Sequence, residues 1–125
     1  MQKKYSNSVK IYYPRYGIEE INEKIKTAKA ELCKLGVVKI ILFGSFAKRR
    51  ATASSDVDLL VLVKDRESKN NFHEIAKAID IEIAEIHLYT IKDFEELRSR
   101  GSWLSREVDR YGIKILDLQD EEHLE

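Results

Sequence analysis

Cysteine is nearly missing from this chain. The one thiol, Cys33, excludes an internal disulfide and makes a reducing, cytoplasmic setting the default. Its helical surroundings predict a buried, inert side chain rather than a nucleophile. Long apolar runs are missing too. None approaches the ~20 residues that cross a bilayer, and Met1 to Lys10 is polar, without the apolar stretch of a signal peptide. Net charge is absent: Lys plus Arg total 22 and Asp plus Glu total 22. That argues against an extended nucleic-acid surface, because domains that grip nucleic acid are basic overall. No low-complexity linker and no internal repeat divides the sequence. With 125 residues, the chain has room for one domain with a core that needs no disulfide.

What is present reads as alternating helices and strands. Residues 1–17 form a polar and aromatic N-terminal arm with the only proline, Pro14, among Tyr12, Tyr13 and Tyr16. The arm has two candidate packing surfaces, the domain itself or a second copy in a homodimer. Ile18, Ile21, Ile25, Ala28, Leu32 and Leu35 recur every three or four positions and predict one amphipathic helix over 18–35, stopped by Gly36. Residues 37–43 and 57–63 read as strands, the second nearly continuous in apolar residues and so buried on both faces. Between them, Phe46 to Arg50 predicts a short helical turn and then a loop. A helix over 69–79 turns Phe72, Ile75, Ala76 and Ile79 inward. Residues 81–89 form a third strand and 91–99 a further helix. After Gly101, Ser102 caps a helix to about Arg110 that carries Trp103, Leu104 and Val108 inward. Residues 112–116 close the fold as a short strand. The acidic segment 117–125 reads as a tail, with Leu124-Glu125 the remnant of a tag junction. The class is α/β (α+β), a small mixed sheet of three core strands plus a short C-terminal strand, packed with helices.

The chemistry concentrates in two short stretches. Asp56 and Asp58 stand two apart at the start of a strand, so they share one face with Cα atoms roughly 6.5–7 Å apart. Two ionised carboxylates aimed the same way repel unless water or a cation lies between them. Oxygen donors favour magnesium or manganese over zinc, and magnesium is commonly held by one or two carboxylates plus substrate phosphates. Gly44-Ser45 lies where the preceding strand ends. A glycine lets backbone amides approach a phosphate closely, the following helical turn offers more amides, and the Ser45 hydroxyl can donate to a phosphate oxygen. Phosphate-binding amides beside metal-binding carboxylates are the two halves of a metal–nucleotide site. Lys48, Arg49 and Arg50 supply cations next to it, either for triphosphate charge or as a solvated loop. His87, with no cysteine or second histidine nearby, is read as core or surface rather than as a ligand.

Gly44-Ser45, ten intervening residues and Asp56-x-Asp58 resemble the signature of the polymerase-β-like minimal nucleotidyltransferases. Ala47, Ala51, the Ser55-Asp56 pair and Leu59-Leu60-Val61 fall where that family has similar residues. Residues 84–90 with Asp93-Phe94 resemble its third strand and next helix, and the likeness spans roughly 18–116, read as one nucleotidyltransferase domain. The resemblance implies that Gly44 and Ser45 contact the β- and γ-phosphates and that Asp56 and Asp58 coordinate magnesium, with two ions. It also implies a third carboxylate on the third strand. Glu85 is the candidate, with Asp80 and Glu82 left as competitors on the opposite face. Lys48 and Arg49 join the nucleotide-binding set. Two positions depart from the family's pattern: Phe46 stands where arginine is common, and Arg49 where glycine is common.

The function implied is transfer of a nucleoside monophosphate, AMP from ATP, to a hydroxyl. Small stand-alone members of the family resemble MntA-like antitoxins paired with helical HEPN-type RNase toxins, so a tyrosine of such a partner is the implied acceptor. Two other readings stand beside it. One is a catalytically silent module that neutralises a partner by masking. The other is a subunit that nucleotidylates a small molecule.

Overall fold

Four strands order the chain into one mixed sheet. The computed structural model describes residues 17–51 and 55–119. The N-terminal arm, with Tyr12, Tyr13 and Tyr16, and the end of the acidic tail lie outside the described residues. In chain order the elements are α1 (Ile18–Thr27), α2 (Lys29–Lys34), β1 (Val37–Phe43), β2 (Val57–Val63), α3 (Phe72–Ile79), β3 (Ala84–Thr90), α4 (Ile91–Ser99), α5 (Trp103–Tyr111) and β4 (Ile113–Asp117). A 3₁₀ turn, Glu67–Asn71, leads into α3. The sheet order is β3-β2-β1-β4. β1 runs antiparallel to both β2 and β4, while β2 and β3 are parallel.

Strand β2 is apolar on both faces because helices cover both. Val57, Leu59, Val61 and Val63 join Ile21, Ile25, Leu32, Ile75 and Ile79 of α1, α2 and α3 in the larger core. Leu60 and Leu62 alternate to the other face and meet Phe43, Phe94 and Val108, the last two from α4 and α5. Phe46, at the position where arginine is common, is buried in the larger core.

The helix expected over 18–35 is broken at Ala28, whose φ of −89° and ψ of 6° leave the helical region. The Thr27 hydroxyl donates to the Glu23 carbonyl at 2.8 Å, a bond that bends helices. The Ala28 amide is then shared between the carbonyls of Lys24 and Ile25.

Three side chains expected inside lie outside. Trp103 is 64% exposed and Phe72 46% exposed. Each begins its helix, and the helix phase is set by the residues after it: Leu104 and Val108 in α5, Ile75 and Ile79 in α3. Cys33 is exposed, because the preceding Leu32 takes the inward position and the next residue is turned about 100° away.

Candidate active site

The β1–β2 and β2–β3 registers build the site. Phe43, the last residue of β1, pairs with Asp58, and Asp58 pairs in turn with Glu85 of β3. Leu60 pairs with His87. Strand alternation turns Asp58, Glu85 and His87 to one face, the face that further along carries Leu60 and Leu62 under α4 and α5. One ligand atom from each of Asp58, Glu85 and His87 lies within 4.8 Å of the other two. His87 Nε2 stands 3.5 Å from Asp58 Oδ1 and 4.0 Å from Glu85 Oε2.

Gly44 closes this arrangement from the β1 side. Its φ is +77°, a conformation that L side chains adopt only under strain. A Cβ added there would overlap Asp58 Oδ2. The glycine thus serves both the turn and the close approach of backbone to carboxylate. From Gly44 the chain makes a single helical turn. The Lys48 amide donates to the Gly44 carbonyl at 3.1 Å, and the Arg50 amide donates to the Ser45 carbonyl at 2.8 Å. The turn ends at Arg49, whose φ of 59° is left-handed, the conformation that suits the glycine common at this position.

The carboxylates do not sit together at ease. The pKa of Asp58 is raised chiefly by burial. The hydrogen bond from His87 works against that rise, and the neighbouring charges of Glu85 and Asp56 add to it. Asp56 is exposed, immediately before β2, and stands outside the three-residue cluster. Crowded acids on a half-buried face are a donor set that a divalent cation would relieve, and the oxygens of Asp58 and Glu85 fit a hard cation.

The remaining expected site residues are placed as follows. Ser45 is half-buried beside Gly44. Lys48 turns to α5, where its ammonium lies 2.8 Å from Glu107 Oε1 and 4.9 Å from the centroid of the Tyr111 ring. Arg49 is exposed. Of the competing acids, Asp80 ends α3 in a left-handed conformation and pairs with Lys24 at 3.6 Å. Glu82 is exposed ahead of β3. Glu85 alone of the three is in register with Asp58. His87, read from the sequence as core or surface rather than as a ligand, stands in the structure beside Asp58 and Glu85. A signal was available, since Glu85-x-His87 on a strand shares a face, and the family motif says nothing about it.

The four-stranded mixed sheet packed with helices agrees with a nucleotidyltransferase fold. Residues 25–109 match the family described as the nucleotidyltransferase domain. That is more than half of the chain, and the chain belongs to this family of enzymes. In sequence, none of the curated proteins matches it. Among solved structures, one described as a toxin–antitoxin with AMP-PNP shares its fold. That likeness has a TM-score of 0.50 and 23% identity, over 82% of this chain and 78% of that one. A MntA–HpeT toxin–antitoxin variant compares at a TM-score of 0.49 and 19% identity, over 82% of this chain and 78% of that one. A candidate nucleotidyltransferase from Sulfolobus solfataricus compares at 0.48 and 13%, over 75% and 78%. No helix among the described residues is long and apolar enough to cross a membrane.

Proposed function

We propose that this chain is a metal-dependent nucleotidyltransferase that moves AMP from ATP to a hydroxyl of a partner protein. The observation that carries the reading is the pairing of Asp58 with Glu85 directly beside Gly44. It puts acidic donors next to a backbone that can approach a phosphate. In this reading Asp56, Asp58 and Glu85 hold the divalent ions, magnesium among them. A bound ion neutralises triphosphate charge and lowers the pKa of the attacking hydroxyl.

The chain's own groups do the rest. The amides after Gly44 and the Ser45 hydroxyl hold the β- and γ-phosphates. Arg49 stands by to offset triphosphate charge. Lys48 contributes to that charge balance while its ion pair with Glu107 ties the phosphate turn to α5. Glu85, the more exposed of the paired acids at 60% of its side chain, accepts the proton. The acceptor oxygen then bonds to the α-phosphorus, the bond to pyrophosphate breaks, and pyrophosphate leaves in line.

The acceptor is a tyrosine of a helical HEPN-type toxin. Support comes from family membership together with the fold shared with a protein solved in a toxin–antitoxin complex with AMP-PNP. The test is intact mass spectrometry of such a partner after incubation with this chain, ATP and magnesium. The expected result is one or more added AMP units, lost when Asp56→Asn and Asp58→Asn are combined. An unmodified partner with each of the four nucleotides would contradict the reading.

One observation favours the masking module as a second reading. Along α5, Trp103, Arg106, Arg110 and Tyr111 are exposed, residue types in which protein-binding hot spots are rich. If the doubly substituted chain still neutralises its partner, masking suffices.

A further inference from the structure

We propose that His87 is a direct ligand of the divalent cation at this site, and that its imidazole moves the site's preference from magnesium toward manganese. The proposal rests on the nucleotidyltransferase reading above and assigns one more residue to it.

Three features carry the argument. The first is register. Glu85 and His87 are alternate residues of β3, and the parallel pairing of Asp58 with Glu85 and Leu60 with His87 brings both onto the face of Asp58. The second is spacing. A well-formed N–H···O bond measures about 2.7–3.2 Å, but His87 Nε2 stands 3.5 Å from Asp58 Oδ1 and 4.0 Å from Glu85 Oε2. The first distance is at the long limit of a hydrogen bond and the second is beyond it. Ligands about 2.1 Å from one octahedral centre stand about 3.0 Å apart when adjacent and about 4.2 Å when opposite, so these separations, and the 4.8 Å within which all three donor atoms lie, are a small side-chain shift from a shared ion. The third is support for the ring. The buried Phe43 meets the imidazole in an edge contact, with centroids 5.0 Å apart and planes at 62°. Phe43 is itself the β1 partner of Asp58. The same side chain therefore backs the histidine and flanks the carboxylate.

At the ion shared with His87 the donor set is then the carboxylates of Asp58 and Glu85 and one imidazole, with Asp56 left to a second ion. Magnesium demands a near-ideal shell of oxygens and gives up water reluctantly. Imidazole suits first-row transition ions, and carboxylates suit manganese as well as magnesium. Manganese accepts both donor types, as iron and zinc do, and of these it is the one that also shares magnesium's taste for carboxylate and phosphate oxygens.

Pulsed electron paramagnetic resonance on the full chain tests this, using Mn²⁺ alone and Mn²⁺ with inorganic triphosphate, which carries no nitrogen. The expected spectrum of the unsubstituted chain shows ¹⁴N coupling to manganese. His87→Asn removes that coupling and weakens Mn²⁺ binding by about 10–100-fold, in the range seen when groups around a metal are lost, while Mg²⁺ affinity falls by less. His87→Asp, an all-oxygen set, binds without the coupling and favours Mg²⁺ more than the parent does. Thermal melts of both variants report whether they fold, and the spectrum of the unsubstituted chain needs no variant at all.

The failures are distinguishable. Mn²⁺ binding that Asp58→Asn abolishes, but without ¹⁴N coupling, overturns the proposal and leaves the nucleotidyltransferase reading standing. Coupling that persists in His87→Asn comes from another nitrogen and also overturns it. No Mn²⁺ binding with or without triphosphate overturns both.

Discussion

Gly44 has a φ of +77°, and a Cβ there would overlap Asp58 Oδ2. Gly44→Ala is therefore expected to cost about 1–2 kcal/mol through the left-handed backbone alone, read as a lower urea midpoint. The displaced Asp58 carboxylate adds a loss of metal affinity that a remote destabilising change would not produce. Asp58 makes the opposite trade. Burial, helped by Glu85 and Asp56, raises its pKa above the ordinary 3.8, so the folded state binds that proton more tightly than the unfolded state. Stability then falls as pH climbs from the unfolded value through the folded one, and it stays reduced at neutral pH. Asp58→Asn removes this cost. Without metal, its melting temperature at pH 7 is expected to rise above that of the parent. In excess divalent cation the order reverses, because an ion that binds only the folded parent stabilises only the parent. Melts with and without metal check both signs.

Helices α4 and α5 are clamped by a fork. Arg98 Nη2 donates to Asp109 Oδ1 at 2.8 Å and Arg98 Nε donates to Oδ2 at 3.1 Å, while Nη1 reaches Glu95 at 2.9 Å. The hydrogen bond from Arg98 holds the Asp109 carboxyl below its ordinary 3.8. A lowered carboxylate stabilises the fold above its unfolded pKa and loses that contribution as pH falls through the folded value. The clamp is thus complete at neutral pH, its contribution to stability begins to decline only below the ordinary carboxylate value, and it is lost as pH falls through the lower folded one. Both side chains are largely exposed, so water and salt screen the pair and Asp109→Asn is expected to cost no more than about 1 kcal/mol at pH 7. The difference from the parent should vanish toward pH 2, as pH-dependent denaturant midpoints would show. On the other side of α5, Lys48 and Glu107 join the phosphate turn to the same helix. The α4–α5 layer therefore also holds one wall of the site.

Across the whole molecule, the sheet was legible where pattern and position coincide. The apolar run over 57–63 and the alternation that separates Asp58 from Leu59 fix β2 and its acidic end, and the glycine at 44 fixes the turn beside it. That Glu85, rather than Asp80 or Glu82, lies in register with Asp58 agrees with the two-residue period of the strand. What escaped depends on partners distant in sequence. Lys48 reads as a loop cation until α5 brings Glu107 to it. His87 reads as core or surface until the parallel register sets it beside Asp58. Trp103 and Phe72 escaped for a different reason. Each starts a helix, where apolar spacing is satisfied by the residues that follow and the first position is left to solvent. The break at Ala28 turns on the Thr27 hydroxyl, which competes for a carbonyl in a way that apolar periodicity does not register.

The central claim is that this molecule holds a metal–nucleotide complex through Asp58 beside Gly44. Calorimetric titration with a non-hydrolysable ATP analogue, with and without divalent cation, tests it most directly. The expected result is binding by the parent only when metal is present, weakened at least about tenfold, or 1.4 kcal/mol, by Asp58→Asn. Equal affinity for both proteins, or no binding of any of the four nucleotides, would contradict it.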